Sequence, residues 1–142
     1  VGLTLSEVLQ QPNVWYALVS TLFLCGSYPL TQIYQHQEDS QRGDKTLSLL
    51  LGVRGTYVFA GVSLLLGTSL LLWLYFKQHQ MHNIAIFLVC TMPVLYFFVG
   101  WAVQAFKDVR VADFKNTMLM NKISSVSISV AFILILVANL YL

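Results

Sequence analysis

The residues best suited to chemistry lie in one short polar segment between two long apolar stretches. Residues 34–52 read YQHQEDSQRGDKTLSLLLG and contain three of the six acidic residues, Glu38, Asp39 and Asp44. Two cationic residues, Arg42 and Lys45, lie among them. Carboxylate oxygens suit Mg²⁺, which shares its coordination shell with phosphates, and Lys or Arg can stabilise a diphosphate leaving group. The segment therefore favours metal-assisted diphosphate chemistry, although a charged loop with internal ion pairs has the same composition.

The spacing of these residues predicts which of them share a helix face. If the apolar helix before the segment continues for one more turn, Gln35 aligns with Asp39 and Tyr34 aligns with Glu38, because residues four apart are neighbours. Gly43 is expected to end this helix, since glycine tolerates the left-handed conformation at that position. The polar side chains would then project from the end of a membrane helix.

A second short helix, mostly apolar, is predicted to follow. Asp44 can cap its first turn, and Gly52 can close it. We expect this helix to lie as a lid over the mouth of a cavity. Within the polar segment, His36 is either a metal or acid–base group or a hydrogen-bonded histidine without a chemical role.

The composition excludes most soluble classes of protein. Of the 142 residues, 57% are hydrophobic and 10% are charged, whereas soluble domains carry about 25% charged residues. The mean hydropathy of +0.70 indicates an integral membrane protein surrounded by a lipid bilayer. The net charge of +2 is too small to favour nucleic acid, so no nucleic-acid partner is expected.

Four stretches are predicted to be transmembrane helices, at residues 14–34, 55–76, 83–103 and 124–142. Each is close to the ~20 residues that cross a ~30 Å hydrocarbon core, where backbone groups must be satisfied within a helix. Seven of the eight Lys and Arg residues fall in the first loop, residues 35–54, or in the third, residues 104–122. The positive-inside rule places these loops in the cytoplasm and both chain ends outside the cell inner membrane. The third loop is expected to be an interfacial amphipathic helix or a surface linker.

A family resemblance is carried by the polar segment. The residues Gln35, Asp39, Gly43, Lys45, Thr46, Leu47 and Gly52 form a run that resembles the second aspartate-rich motif of the UbiA superfamily of intramembrane prenyltransferases. The resemblance implies an all-α membrane protein with a nine-helix bundle, of which residues 1–142 would be the C-terminal part with the last four helices. It also implies Mg²⁺-dependent transfer of a prenyl group from an isoprenoid diphosphate to an aromatic or lipid acceptor.

The resemblance further implies roles for individual residues. Asp39 matches the second aspartate of the motif and is the expected metal ligand and catalytic residue. Gln35 stands where the family usually has the first aspartate, and its amide oxygen brings no charge, so Glu38 is expected to complete the metal ligands. Lys45 matches the basic position and is the expected catalytic and diphosphate contact. Arg42 and Tyr34 are the other expected substrate-binding residues.

The first aspartate-rich motif of the family does not occur in the 142 residues. By the logic of the family, this chain is predicted to be inactive alone and to need N-terminal helices of the same protein. The alternative interpretation is a non-catalytic four-helix membrane subunit or transporter fragment. In that case the charged loops would be surfaces for docking other proteins.

Overall fold

The structure, a computed structural model, describes Thr4, Glu7 and residues 11–141. Its helices are α1 (Pro12–Gln32), α2 (His36–Arg42), α3 (Leu47–Lys77), α4 (Met81–Lys107) and α5 (Phe114–Tyr141). Short 3₁₀ turns at Ile33–Gln35 and Val109–Val111 precede α2 and α5. In this part of the chain, four helices are long and apolar enough to cross a membrane: α1 with its extension α2, α3, α4 and α5. The predicted all-α fold with four helices of membrane-spanning length and composition is confirmed for the described residues, and the nine-helix bundle stays a prediction.

The third loop is much shorter than the sequence predicts. α4 continues to Lys107 and α5 begins at Phe114, so the connection is residues 108–113 and most of the predicted amphipathic segment belongs to the long helices. The side chain of Asp108 accepts a hydrogen bond from the backbone N–H of Arg110 (3.0 Å), and that of Asp113 accepts one from Asn116 (2.8 Å). Each aspartate thus caps a helical start, which places the helix boundary there.

The helices pack in an open arc. α1 lies along α3, α4 lies along α5, and α3 contacts α4 between these pairs, whereas α1 and α5 touch only briefly. α1 and α3 approach closely at Gly26, where a Cβ atom would lie 2.9 Å from Leu64 Cγ and 3.1 Å from the carbonyl oxygen of Ala60. Small residues allow such close packing between membrane helices. The limited contact between α1 and α5 leaves a cleft.

Contacts at the two ends of the bundle fix the hairpin arrangement. At one end, the rings of Tyr34 and Phe114 meet edge to face with centroids 5.1 Å apart, which brings the polar segment beside the 108–113 connection. At the other end, Trp15 meets Trp73 at 6.2 Å. The first and third loops therefore share one end of the bundle, as predicted. The side of a membrane that this end faces stays a prediction.

Candidate functional site

The polar segment leaves the bundle through a change in helix geometry. α1 ends at Gln32, and the 3₁₀ turn Ile33–Gln35 separates it from α2. The expected continuous helix is therefore interrupted at residues 33–35, just before α2, and the alignment of Gln35 with Asp39 stays a prediction. Gly43 does end α2 in the left-handed conformation (φ 77°), as predicted, and the N–H of Asp44 bonds to the carbonyl oxygen of Asp39 at 2.9 Å.

The lid helix, defined here as residues 47–51, is present as the first turn of α3. Gly52 interrupts α3 with φ 68° and ψ 173°, a conformation essentially restricted to glycine, so the closure at Gly52 is confirmed. The cap is Thr46 and not the predicted Asp44: the Thr46 hydroxyl accepts a hydrogen bond from the N–H of Leu49 at 3.2 Å. Asp44 lies two residues before the cap and is exposed. The helix begins too late for its side chain to reach the first turn.

Asp39 is the buried carboxylate of the segment, with only 7% of its surface exposed. The Thr46 hydroxyl donates to Asp39 Oδ2 across 3.5 Å while also accepting from the lid helix. One hydroxyl thus connects the carboxylate to the N-terminus of the lid. A buried carboxylate with a single long hydrogen bond retains capacity for further ligands, since it can accept several bonds.

The other charged residues of the segment face outward. Glu38 and Arg42 form an ion pair on α2 at 3.6 Å, with 68% of each side chain exposed. Exposed pairs of this kind contribute little stability, so Arg42 can leave Glu38 at small cost. Lys45 is also exposed, and it forms no ion pair with any residue that the structure describes. In the described residues, neither cation forms an ion pair with the buried carboxylate.

Gln35 and Tyr34 interact with each other and not with Asp39. The amide of Gln35 donates to the Tyr34 hydroxyl at 2.8 Å, and the Tyr34 ring is held by Phe114. This arrangement keeps the Gln35 side chain at the junction of α1 with the 108–113 connection. Both residues are half-buried at the end of the segment that adjoins α1.

A chain of hydrogen bonds that the sequence analysis missed holds the lid helix against α2. His36 Nε2 lies 2.7 Å from Ser48 Oγ, and Ser48 Oγ lies 3.2 Å from Thr56 Oγ1. Thr56 also donates to the carbonyl oxygens of Ser48 (3.2 Å) and Gly52 (2.8 Å), and both hydroxyl residues are fully buried. We call His36, Ser48 and Thr56 the lid latch. In the sequence, the sign of this hydrogen-bond chain is Ser48, a polar residue among the leucines of LSLLLG.

Electrostatics at the latch keep His36 neutral. Burial lowers the pKa of His36 below its ordinary value of 6.5, because the cationic form loses hydration, and the nearby negative charge of Asp39 only partly opposes this shift. His36 therefore acts as a hydrogen-bonding group of the lid latch. The metal or acid–base role of His36 is not tested by these contacts and stays a prediction.

The oxygen atoms of the polar segment provide only part of the ligand set that Mg²⁺ requires. Among the described residues, no three His, Cys, Asp or Glu side chains are grouped closely enough to hold a metal ion. Asp39 can supply one carboxylate ligand, Gln35 lies beside Tyr34, and Glu38 points outward to Arg42. Mg²⁺ commonly binds through one or two carboxylates together with waters and substrate phosphates. The residues fit an ion shared with a diphosphate, and not a closed site made by this chain.

A cavity of about 420 Å³ lies in the cleft between α1 and α5, with Trp101 of α4 in its wall. Hydroxyl and amide side chains line it together with aliphatic ones. Its α1 wall runs from Leu24 to Thr31 and its α5 wall from Thr117 to Ser129, so it extends from the end of the bundle that carries the polar segment. None of the lid residues 47–51 lines this cavity, so the expected position of the lid over the mouth of a cavity stays a prediction.

Comparisons of the chain with protein-family models, with curated proteins and with solved structures found no match.

Proposed function

We propose that this chain is the C-terminal part of a UbiA-like intramembrane prenyltransferase and that residues 35–54 bind the diphosphate of its prenyl donor together with Mg²⁺. The observation that carries the proposal is the placement of Asp39. It is a buried carboxylate in the short glycine-terminated helix α2, and the Thr46 hydroxyl connects it to the glycine-closed lid. A loop whose charges served only as a solvated face would not bury one carboxylate while exposing all of its neighbours.

The proposed reaction breaks the bond between C1 of the prenyl group and the diphosphate oxygen. The electron pair leaves with the diphosphate, and the allylic cation that remains is attacked by a nucleophilic atom of an aromatic or lipid acceptor, which then loses a proton. Bound Mg²⁺ supplies positive charge that stabilises the diphosphate. A site beside the hydrocarbon region also excludes water, which would otherwise capture the cation.

The residues of this chain have distinct parts in the proposal. Asp39 holds the metal, with the amide oxygen of Gln35 and the carboxylate of Glu38 as the further expected ligands. Lys45 and Arg42 bind the diphosphate oxygens. Among the residues that the structure describes, Lys45 forms no ion pair, and Arg42 forms only the exposed pair with Glu38.

Tyr34 offers its hydroxyl at the boundary between the membrane helix and the polar segment, where it already accepts the hydrogen bond from Gln35. We propose that it contacts the substrate there. The remaining machinery, including the first aspartate-rich motif, would come from N-terminal helices of the same protein.

The experiment is a comparison of two aspartate variants in the full-length protein. Asp39→Asn keeps the size of the side chain and removes its charge, and it is expected to abolish Mg²⁺-dependent transfer from a radiolabelled prenyl diphosphate. Asp44→Asn is the matched control, because Asp44 lies in the same loop but is exposed. It is expected to retain transfer.

The outcomes separate the enzyme from the alternative class of protein. Loss of transfer in Asp39→Asn alone, with unchanged thermal unfolding, supports the site. Transfer that survives Asp39→Asn at a level close to that of the unmodified protein contradicts the assignment. A full-length protein that neither binds nor transfers prenyl diphosphate favours the non-catalytic subunit or transporter interpretation.

A further inference from the structure

Several hydroxyl side chains line the cavity between α1 and α5, although both helices are apolar enough to cross a membrane. Four of its hydroxyl groups donate their hydrogens to carbonyl oxygens of their own helices: Ser27 to Leu24 (3.4 Å), Thr31 to Tyr28 (2.7 Å), Thr117 to Asp113 (2.8 Å) and Ser124 to Met120 (2.8 Å). A hydroxyl has one hydrogen and two acceptor lone pairs. These four groups therefore offer only acceptors to anything that enters the cavity.

Three further polar side chains in the α5 wall have no internal role. Asn121, Ser125 and Ser129 line the cavity, and they form no hydrogen bond with any residue in the described part of the chain. Polar groups at membrane depth are costly unless they are paired, and they commonly mark a path or site for a ligand. These side chains can therefore bind a polar ligand in the cavity, and the wall offers it more hydrogen-bond acceptors than donors.

The charge of the wall restricts the ligand. Within residues 11–141, no charged side chain lines the cavity. A phosphate or carboxylate inside it would lose hydration without gaining a countercharge, which is strongly unfavourable in an apolar environment. A neutral group that donates hydrogen bonds is complementary to the wall.

The cavity opens sideways. Tyr28 and Leu24, on its α1 wall, are 65% and 66% exposed, and they lie within a helix that is long and apolar enough to span a membrane. Leu30, Met120 and Ile128 supply apolar wall as well. A ligand that enters laterally from a bilayer would bring both a hydrocarbon chain and a small polar group.

We propose that the α1–α5 cavity binds a neutral hydroxylated lipid of the diacylglycerol type. The lipid hydroxyl donates to the acceptor-rich wall, the amide of Asn121 bonds to its ester oxygens, and the acyl chain lies on Leu24 and Ile128. This proposal concerns a site separate from the polar segment, and it does not depend on prenyl transfer.

The test uses the full-length protein in phosphatidylcholine nanodiscs. A diacylglycerol probe with a photoreactive diazirine in one acyl chain is crosslinked, and labelled peptides are mapped by mass spectrometry. Labelling of peptides from α1 and α5 is expected, with competition by unlabelled diacylglycerol. Asn121→Leu is expected to reduce the labelling roughly 10-fold, and Ser125→Ala about 2- to 5-fold, as expected for lost hydrogen bonds. Ser127→Ala is the matched control, because Ser127 lies two residues from Ser125 on α5 but does not line the cavity.

Three results would overturn the proposal. A phosphatidylcholine probe with the same acyl chains and diazirine could label these peptides as strongly as the diacylglycerol probe does. Ser127→Ala could reduce labelling as much as Ser125→Ala does. The peptides could also remain unlabelled in the full-length protein, which would mean that another helix covers the cavity. If Asn121→Leu lowers the thermal unfolding temperature, Ser125→Ala decides the outcome.

Discussion

Replacing Ser48 by alanine is expected to loosen the lid helix while leaving the rest of the bundle intact. The Ser48 hydroxyl bonds to His36 Nε2 (2.7 Å) and to Thr56 Oγ1 (3.2 Å), so the substitution removes two side-chain hydrogen bonds. Thr56 keeps its bonds to the carbonyl oxygens of Ser48 and Gly52, so the loss is confined to the contacts of the lid with His36 of α2 and with the Thr56 hydroxyl.

The magnitude follows from the two bonds. A hydrogen bond contributes about 0.5–1.5 kcal/mol net, so the loss is roughly 1–3 kcal/mol. This corresponds to an increase of about 5- to 150-fold in the equilibrium constant for opening of the lid. The amide hydrogens of residues 47–51 should exchange with solvent faster by a similar factor, because local opening governs their exchange.

The assay is hydrogen–deuterium exchange on the full-length protein in nanodiscs, compared with Ser40→Ala. Ser40 lies on α2, is exposed, and its side chain forms no hydrogen bond within the described residues, so its replacement should leave exchange unchanged. Equal exchange of the lid in Ser48→Ala and in the unmodified protein would refute the latch. Equal acceleration in both serine variants would show a general effect on the polar segment.

Three further predictions concern the same region and the helix packing. Because the pKa of His36 is lowered in the folded state, protonation favours the undocked lid. The protection of the lid amides from hydrogen exchange should therefore be complete above about pH 6.5 and be lost as the pH falls below that value. Protection that increases as the pH falls would contradict the predicted direction. Gly52→Ala should destabilise the lid by about 1–3 kcal/mol, because alanine is strained at φ 68°, whereas Gly100→Ala, in a regular and open helical position, should not. Gly67→Val should lower the thermal unfolding temperature, since even a Cβ at Gly67 would lie 3.1 Å from the Phe23 ring; a change no larger than that of Gly100→Ala would count against close packing of α1 on α3.

Part of the candidate site could be predicted from residue types alone. Gly43 and Gly52 both adopt positive φ, because each stands where a helix must stop within a few residues of the next one. The four membrane-length helices follow from composition, since runs of about 20 apolar residues have no other stable form in lipid. The first and third loops lie at the same end of the bundle because two long helices, α3 and α4, separate them in the sequence.

Other features depended on contacts between segments distant in sequence. The 3₁₀ turn at Ile33–Gln35, which interrupts the expected continuous helix, was not predicted, because nothing in the local sequence marks it. The cap is Thr46 and not Asp44 because the helix begins only at Leu47, and Thr46 also contacts Asp39, seven residues earlier. The start of α5 at Phe114 depends on the Asp113 cap, which competes with the amphipathic pattern of the whole loop.

The sequence by itself determined four apolar helices, the position of a polar segment at one end of them, and the glycines that shape it. These properties are local, because they arise from the hydropathy and the backbone freedom of consecutive residues. Only the tertiary structure decided that Asp39 is buried while Glu38 is exposed, that His36 binds Ser48, and that polar side chains of α1 and α5 face one cavity. Burial and pairing depend on which surfaces meet, and residues 12 to about 100 positions apart meet only when the helices pack.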